Sequence, residues 1–592
     1  MENAELVYVA CLERQVNKMD MINLTIDGIE VSVPKDTTIL EAAKKLNITI
    51  PTLCFMKGIN EPGSCRVCVV EVEGWRGLHP ACVTKVSEGI VVKTATSTVR
   101  EARKNILELI MANHNRECLS CSRNLKCELQ TLCNDNGIDR LPYEGKVNKG
   151  CIDTTGPIVR DPNKCVLCGR CISVCSKQQD VGVIDFAYRG AHTTVTTAYE
   201  EGLAGQDCIN CGQCIKICPV GALSERDDTA KVWKALENQD LHVVVQTAPA
   251  VRVALGEEFG FAPGTNVEGK MVTALRRLGF NKVFDTNFSA DLTIIEEGTE
   301  LINRINNGGK LPMITSCSPG WIKFCEHNYH DFLENLSTCK SPQQMFGAIA
   351  KSYYPEKADV DPRKMFVVSV MPCTAKKYEA ERDEMQVNGL KDIDAVITTR
   401  ELARMIRQAG INFAELEDGQ RDSILGTYSG AGTIFGNTGG VMEAALRTVA
   451  EKLTGKSLDC IEYTQVRGLA GIKEATINVA GMDIKVAVAS GTGNAAKLLD
   501  KIRAGEADYH FIEVMGCEGG CINGGGQPII KDKSTTEEVK AARIKGLYDI
   551  DRSCETRKSH ENPEIKKLYS EYLGEAGGHK SHMLLHTHYV KR

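Results

Sequence analysis

Thr315-Ser-Cys-Ser-Pro-Gly-Trp321, Met371-Pro-Cys-Thr-Ala-Lys-Lys-Tyr-Glu379 and Glu513-Val-Met-Gly-Cys-Glu-Gly-Gly-Cys-Ile-Asn-Gly-Gly-Gly-Gln-Pro528 decide how the C-terminal half of the chain folds. Each follows a short apolar run, at 311–314, 366–370 and 509–514. Runs of that length read as buried strands. In open α/β sheets ligands sit beyond the carboxyl ends of strands. Three strands therefore carry cysteines to one place, an arrangement that suits a large metal cofactor better than a disulfide.

The chain has 592 residues, 42 % of them hydrophobic, which is room for about three to five domains with ample core. No apolar run reaches the roughly 18 residues of a membrane span. The first 20 residues mix charge with apolar side chains and carry neither a signal-peptide core nor a twin-arginine motif, so a cytoplasmic protein is expected. A formal charge of −6 argues against nucleic-acid binding. Cysteine stands out: there are 26, most in short-spaced groups. In a reducing compartment such groups read as metal sites rather than disulfides. Cys11, Cys133, Cys151, Cys325, Cys460 and Cys554 fall outside the groups and read as scattered buried thiols.

Residues 21–98 begin with alternating Ile22, Leu24, Ile26 and Ile29, Val31, Val33 around an Asp27-Gly28 turn, a hairpin signal. A helix with Ile39, Ala42, Ala43 and Leu46 on one face follows, then Cys54, Cys65, Cys68 and Cys82. This β-grasp layout resembles a plant-type [2Fe–2S] ferredoxin domain with a longer first spacing; zinc is the alternative. In 99–150, His114, Cys118, Cys121 and Cys127 follow a helical stretch, 99–113. The run resembles one in the large iron–sulfur subunit of respiratory NADH dehydrogenase, which implies a [4Fe–4S] cluster with one imidazole ligand. In 151–235, Cys165, Cys168, Cys171 and Cys175 repeat as Cys208, Cys211, Cys214 and Cys218, the bacterial two-cluster pattern. The fourth cysteine of each copy serves the other cluster, giving Cys165/Cys168/Cys171/Cys218 and Cys208/Cys211/Cys214/Cys175. Four accessory clusters in series would form an electron wire.

The three opening loops, in order, resemble the signature of [FeFe] hydrogenases, and the resemblance runs from about Met21 to the C-terminus. It implies a two-lobed α/β domain over 236–592 behind the three α+β cluster domains, with 1–20 as an extension. It also implies an H-cluster: a [4Fe–4S] cubane bridged to a two-iron site with CO, cyanide and azadithiolate ligands, catalysing 2H⁺ + 2e⁻ ⇌ H₂. By register Cys373, Cys517 and Cys521 match cubane ligands, Lys376 the lysine that donates to a cyanide, and Ala248, Pro249, Ser341, Gln343, Met515 and Phe435 the pocket lining. Gly524 to Gly526 would let backbone approach the cluster.

One position departs from the family. Two adjacent cysteines usually precede Pro-Gly-Trp, the first relaying protons and the second binding the cubane; here the pair is Cys317-Ser318. Ser318 as ligand, Cys339 as a replacement, or Cys317 shifted onto the cubane all remain open. The family's proton relay maps onto Cys317, Glu297, Ser337 and Glu300, and Glu297 and Glu300 share a helix face. An electron-transfer subunit of an NADH dehydrogenase-like complex and an H₂ sensor are the alternatives. The first lacks the three loops, and the second typically loses the relay cysteine and gains a signalling domain. Gly430-Ala-Gly-Thr-Ile-Phe-Gly436 imitates a dinucleotide fingerprint but coincides with a family loop. With no flavin or nicotinamide motif, electrons are expected to pass to ferredoxin or to flavoprotein subunits that oxidise NAD(P)H. The Cys317-Ser318 pair leans towards a multimeric, possibly electron-bifurcating enzyme, and the two-iron site implies dedicated maturation proteins.

Overall fold

The computed structural model describes residues 20–145, 150–457, 460–479 and 481–592. Cys11 lies outside them.

The first module is a five-stranded sheet. β1 (Met21–Ile26) and β2 (Ile29–Pro34) pair antiparallel, and Asp27 and Gly28 both take positive φ in the turn between them. Two left-handed residues match the right-handed twist of the flanking strands. Helix α1 (Ile39–Lys45) starts at Thr38, whose hydroxyl and the Glu41 carboxylate form a reciprocal cap. It buries Ile39, Ala42 and Ala43 on the sheet. β3 (Val69–Val72), β4 (Leu78–Pro80) and β5 (Val91–Lys93) complete the order β2-β1-β5-β3-β4. Helix α2 (Ser97–Ala112), capped by Thr96, leads to His114.

The ferredoxin-like repeat has little regular structure: two-stranded ribbons and short helices hold its cysteine loops. The larger C-terminal part contains two four-stranded sheets. In the first, β6 (His242–Thr247), β7 (Lys282–Asp285), β9 (Met365–Met371) and β10 (Ala395–Thr398) run parallel in the order β7-β6-β9-β10. In the second, β8 (Met313–Ile314) pairs parallel with β13 (Phe511–Met515), which pairs parallel with β12 (Met482–Ser490). β11 (Ile472–Val479) closes that edge antiparallel to β12. Val367, Val368 and Val370 on β9 are fully buried, as are Ile512 and Val514 to within 1 % on β13. Strands covered on both faces need such continuous apolar runs. Helix α3 (Thr286–Asn306) crosses between the lobes, and its first 13 residues are buried. Among the described residues, no helix is long and apolar enough to cross a membrane.

The ungrouped thiols are not uniformly buried. Cys133 and Cys325 are in core, but Cys151 and Cys460 are exposed and Cys554 is half-buried. The exposed pair lie outside helices and strands.

Candidate active site

Four strand ends open onto one cavity. β6 delivers Ala248 and Pro249, β8 delivers Cys317 and Ser318, β9 delivers Cys373 and Lys376, and β13 delivers Met515, Cys517 and Cys521; Thr286, Ala290, Gln343 and Phe435 also line the wall. β6 and β9 belong to one sheet and β8 and β13 to the other, so the site lies between the lobes.

The sulfur atoms fit a metal cluster. Burial raises the Cys373 and Cys521 thiols, the latter to about 12, and the nearby charge of Cys517 adds to it in both. Burial also raises Cys517. Thiolates crowded in so dry a place need a cationic partner, which iron supplies. Phe435 and Met515 are at most 6 % exposed, so solvent is largely excluded.

Lys376 Nζ lies 2.9 Å from Glu379 and donates to the Cys317 carbonyl at 3.1 Å. Glu379 is a hub that the sequence reading missed: its carboxylate also accepts from Ser341 Oγ at 2.9 Å and Gln343 Nε2 at 3.0 Å. Its signal was its place three residues after Lys376 on a short helix. Ser341 does not line the cavity; its hydroxyl is spent on Glu379 at the start of helix α4 (Pro342–Ala350). Gln343 leaves Oε1 buried without a partner.

Cys317 and Ser318 both line the cavity, but Cys339 does not. Cys339 Sγ lies 3.9 Å from Glu300, on the far side of the loop whose Ser316 hydroxyl donates to the Cys339 carbonyl at 2.7 Å. The placement disfavours Cys339 as a cubane donor. Ser318 Oγ accepts from the Gly516 N–H at 3.1 Å, which keeps its oxygen on the cavity wall.

Behind Cys317 lies Glu297, wholly buried, with neither carboxylate oxygen hydrogen-bonded. Burial first, and the charge of Glu300 second, push its carboxyl up to about 8. Ser337 is held by its own N–H on the Ile314 carbonyl at 2.8 Å, and its hydroxyl donates to Glu300 at 3.0 Å.

The glycine triplet serves protein packing as much as the cavity. Gly524 lines it, yet a Cβ there would lie 2.2 Å from the Pro372 carbonyl oxygen; at Gly525 it would lie 2.3 Å from that of Cys211. The ferredoxin-like repeat therefore sits directly against the loop that carries Cys517 and Cys521. Thr374 Oγ1 donates to the Asn210 carbonyl at 2.7 Å and Gln213 Nε2 to that of Asn523 at 3.0 Å. Gly430–Ile434 is a buried helical turn capped by Ser429 and follows no strand, unlike a dinucleotide loop.

Further out, Cys165, Cys168, Cys171 and Cys218 line one cavity. Charges at Cys208, Cys211 and Cys175 all act on Cys214. Cys68 and Cys82 sulfurs are 3.3 Å apart. His114 is 6 % exposed, and its Nδ1 is buried without a hydrogen-bond partner. Burial lowers its pKa, favouring the neutral ring that a metal requires. Both outer modules meet the ferredoxin-like repeat at the same cysteine group, and they also touch each other, Arg103 donating to the Val69 carbonyl at 2.8 Å. Asn60 donates to the Cys54 and Cys168 carbonyls at 2.8 and 3.1 Å, tying the first module to the repeat. Arg123 donates to the Cys218 carbonyl at 3.0 Å and the Glu128 N–H to that of Pro219 at 2.9 Å, tying the His114 module to the same end.

Residues 241–525 match the C-terminal domain of the iron only hydrogenase large subunit, and 537–592 match the iron hydrogenase small subunit. Residues 19–97 match a 2Fe-2S iron-sulfur cluster binding domain, 103–142 the NADH-ubiquinone oxidoreductase-G iron-sulfur binding region and 164–222 a 4Fe-4S dicluster domain. The NADP-reducing hydrogenase subunit HndD of Solidesulfovibrio fructosivorans is 50 % identical over 97 % of this chain and 100 % of its own length. Iron hydrogenase 1 of Clostridium pasteurianum is 45 % identical over 96 % and 100 %. An apo [FeFe]-hydrogenase structure from Chlamydomonas reinhardtii superposes with a TM-score of 0.56 at 45 % identity, covering 62 % of this chain and 99 % of that one. Cavity, cysteine groups and full-length likeness agree: the chain belongs to the [FeFe] hydrogenases and is an iron-only hydrogenase catalytic chain with accessory iron–sulfur domains.

Proposed function

We propose that this chain is the hydrogen-activating subunit of a cytoplasmic, multimeric, NAD(P)-linked hydrogenase. The cavity supports the reading of the site: Cys373, Cys517, Cys521 and Ser318 stand on its walls in positions to hold the cubane. In this reading Ser318 is the fourth donor, because Cys339 is turned away towards Glu300. The H-cluster, when bound, supplies the redox chemistry of 2H⁺ + 2e⁻ ⇌ H₂.

The chain does the rest. Lys376, fixed by Glu379, places a positive charge at the cavity wall where anionic groups of the cofactor would lie. Apolar Phe435, Met515, Ala248 and Pro249 exclude water. Protons pass along Glu300, Ser337, Glu297 and Cys317. Glu297, at about 8, holds or releases a proton near neutrality. The first cysteine group would hold a [2Fe–2S] cluster, and His114 with its cysteines and the two groups of the repeat would hold three [4Fe–4S] clusters, which would supply the electron path; the Cys211 carbonyl packs against Gly525 of the Cys517 loop.

The relative from Solidesulfovibrio fructosivorans is named a subunit of an NADP-reducing enzyme, and its whole length is matched. Flavoprotein subunits that handle NAD(P)H are the partners this suggests. Purifying the untagged native protein tests it: a co-purifying flavoprotein is expected, and a monomer that exchanges electrons with ferredoxin alone would overturn the multimeric reading.

A further inference from the structure

Lys216 is a buried cation with no acidic partner. It belongs to the ferredoxin-like repeat, on the short helix Gln213–Ile217 between Cys214 and Cys218. Its side chain reaches out of the repeat, and only 7 % of the residue is exposed. Nζ donates to the Asn523 carbonyl at 2.9 Å and also to Asn523 Oδ1. That amide is held in place, because Asn523 Nδ2 donates to the Glu518 carbonyl at 3.0 Å. Asn523 stands two residues after Cys521, so the lysine ends at the loop that carries both Cys517 and Cys521.

The charges around Lys216 make that placement costly. Three cations act on it: Arg543, Lys533 and Lys540. Arg543 is neutralised by Glu257, at 2.7 Å through each of two nitrogens, and Lys540 by Glu518 and Glu537. Lys533 donates to the Lys216 carbonyl at 3.0 Å and to that of Ile530 at 2.7 Å. Neither Lys216 nor Lys533 pairs with a carboxylate among the described residues. The attractive charge acting on Lys216 is the sulfur of Cys517, and the effect is mutual. An ammonium taken out of water needs an anion, or it sheds its proton. A cubane held by thiolates is a net anion and gains negative charge on reduction. Two further donors act on the same sulfur, the Gln213 amide and the Gly525 N–H.

We propose that Lys216 is the counter-cation of the cubane, lent by the electron-transfer repeat to the catalytic cluster, and that its charge raises the reduction potential of that cluster. The inference rests on the reading of Cys517 as a cubane ligand and deepens it. Net charge and hydrogen bonds to the sulfurs set the potential of such a cluster. A cation fixed beside Cys517 favours the reduced, more anionic form. When one electron crosses from the repeat to the cubane, Lys216 offsets the unit of negative charge that arrives. No bond forms or breaks, and the lysine keeps its protons. Lys216 touches no substrate and acts through its charge alone.

The test is a redox titration of the full chain, made without the two-iron complex and followed by electron paramagnetic resonance. The cubane signal is identified as the one lost in Cys517→Ala. Lys216→Met removes the charge at nearly constant volume, and Lys216→Gln keeps a hydrogen-bond donor for Asn523 without the charge. Both are expected to move the cubane midpoint to more negative potential, with iron content unchanged. At the parent's midpoint the ratio of reduced to oxidised cubane should fall about tenfold, which is about 59 mV for one electron. If Lys216→Gln titrates like the parent while Lys216→Met is shifted, the bond to Asn523 sets the potential and this inference falls. If both titrate like the parent, the cubane does not feel the charge, and the inference falls with the ligand reading intact. If Cys517→Ala loses no signal, the ligand reading falls and takes the inference with it. Should Lys216→Met fail to fold, the Gln variant decides.

Discussion

Glu297 shows how a single residue can cost stability and serve chemistry. Its folded carboxyl titrates near 8 against an ordinary 4.5, so the folded state binds more protons than the unfolded state between those values. Stability attributable to this group therefore falls as pH rises through that window. Glu297→Gln removes the charge that burial penalises. Its Tm should equal or exceed the parent's at about pH 5, and the gap should widen by about pH 9, while H₂ turnover falls by roughly a hundredfold. A Tm gap that narrows with pH would mean that Glu297 is ionised and solvated in the fold. Ser318 carries the second residue-scale prediction. Ser318→Cys restores a thiolate donor where the cavity wall presents an oxygen. It should alter the electron paramagnetic signal of the cubane without loss of iron, whereas Cys339→Ala should leave that signal unchanged. The sequence could name candidate relay and ligand positions because motif register survives without coordinates. The turning away of Cys339 was not, since it depends on Ser316 gripping its carbonyl across 23 residues. Glu379 was likewise hidden: a carboxylate becomes a hub only when Ser341, Gln343 and Lys376 fold onto it.

At the scale of elements, strand ends and loops that meet decide the site. The apolar runs before each cysteine loop foretold β8, β9 and β13, because buried parallel strands need unbroken apolar faces. What they could not foretell was the division into two sheets, which sequence separation does not encode. The glycine triplet was read as a cradle for the cluster, but its tightest contacts are to protein backbone. Gly525→Ala tests this contact. A methyl group 2.3 Å from the Cys211 carbonyl must push the ferredoxin-like repeat away from the Cys517 loop. Overpacking of this kind costs about 1–3 kcal/mol. Electron exchange with an external donor through the accessory clusters should slow, while the infrared bands of the cofactor persist. Unchanged exchange would show that this contact is not on the electron path.

For the whole molecule, composition and cysteine spacing gave the order of modules, and their likeness to known domains follows that order from 19 to 592. Spacing could not reveal that Asn60 and Arg123 reach the same cysteine group from different modules. If each module feeds that cysteine group directly, the two inputs are independent. Cys68→Ser, which should empty the [2Fe–2S] site, is expected to leave H₂ evolution from donors that use the His114 branch, and His114→Ala the reverse. A series wire would lose donor-driven activity in both. The central claim is that the cavity between the lobes holds a two-iron cofactor that this chain cannot assemble alone. The most direct measurement is infrared spectroscopy with an H₂ assay on protein made without maturation proteins, before and after the two-iron complex is supplied. The account predicts iron–sulfur absorption only at first, with no CO or cyanide bands and no H₂, then both together after reconstitution. H₂ evolution by the untreated protein, or uptake of the complex with no activity, would contradict it.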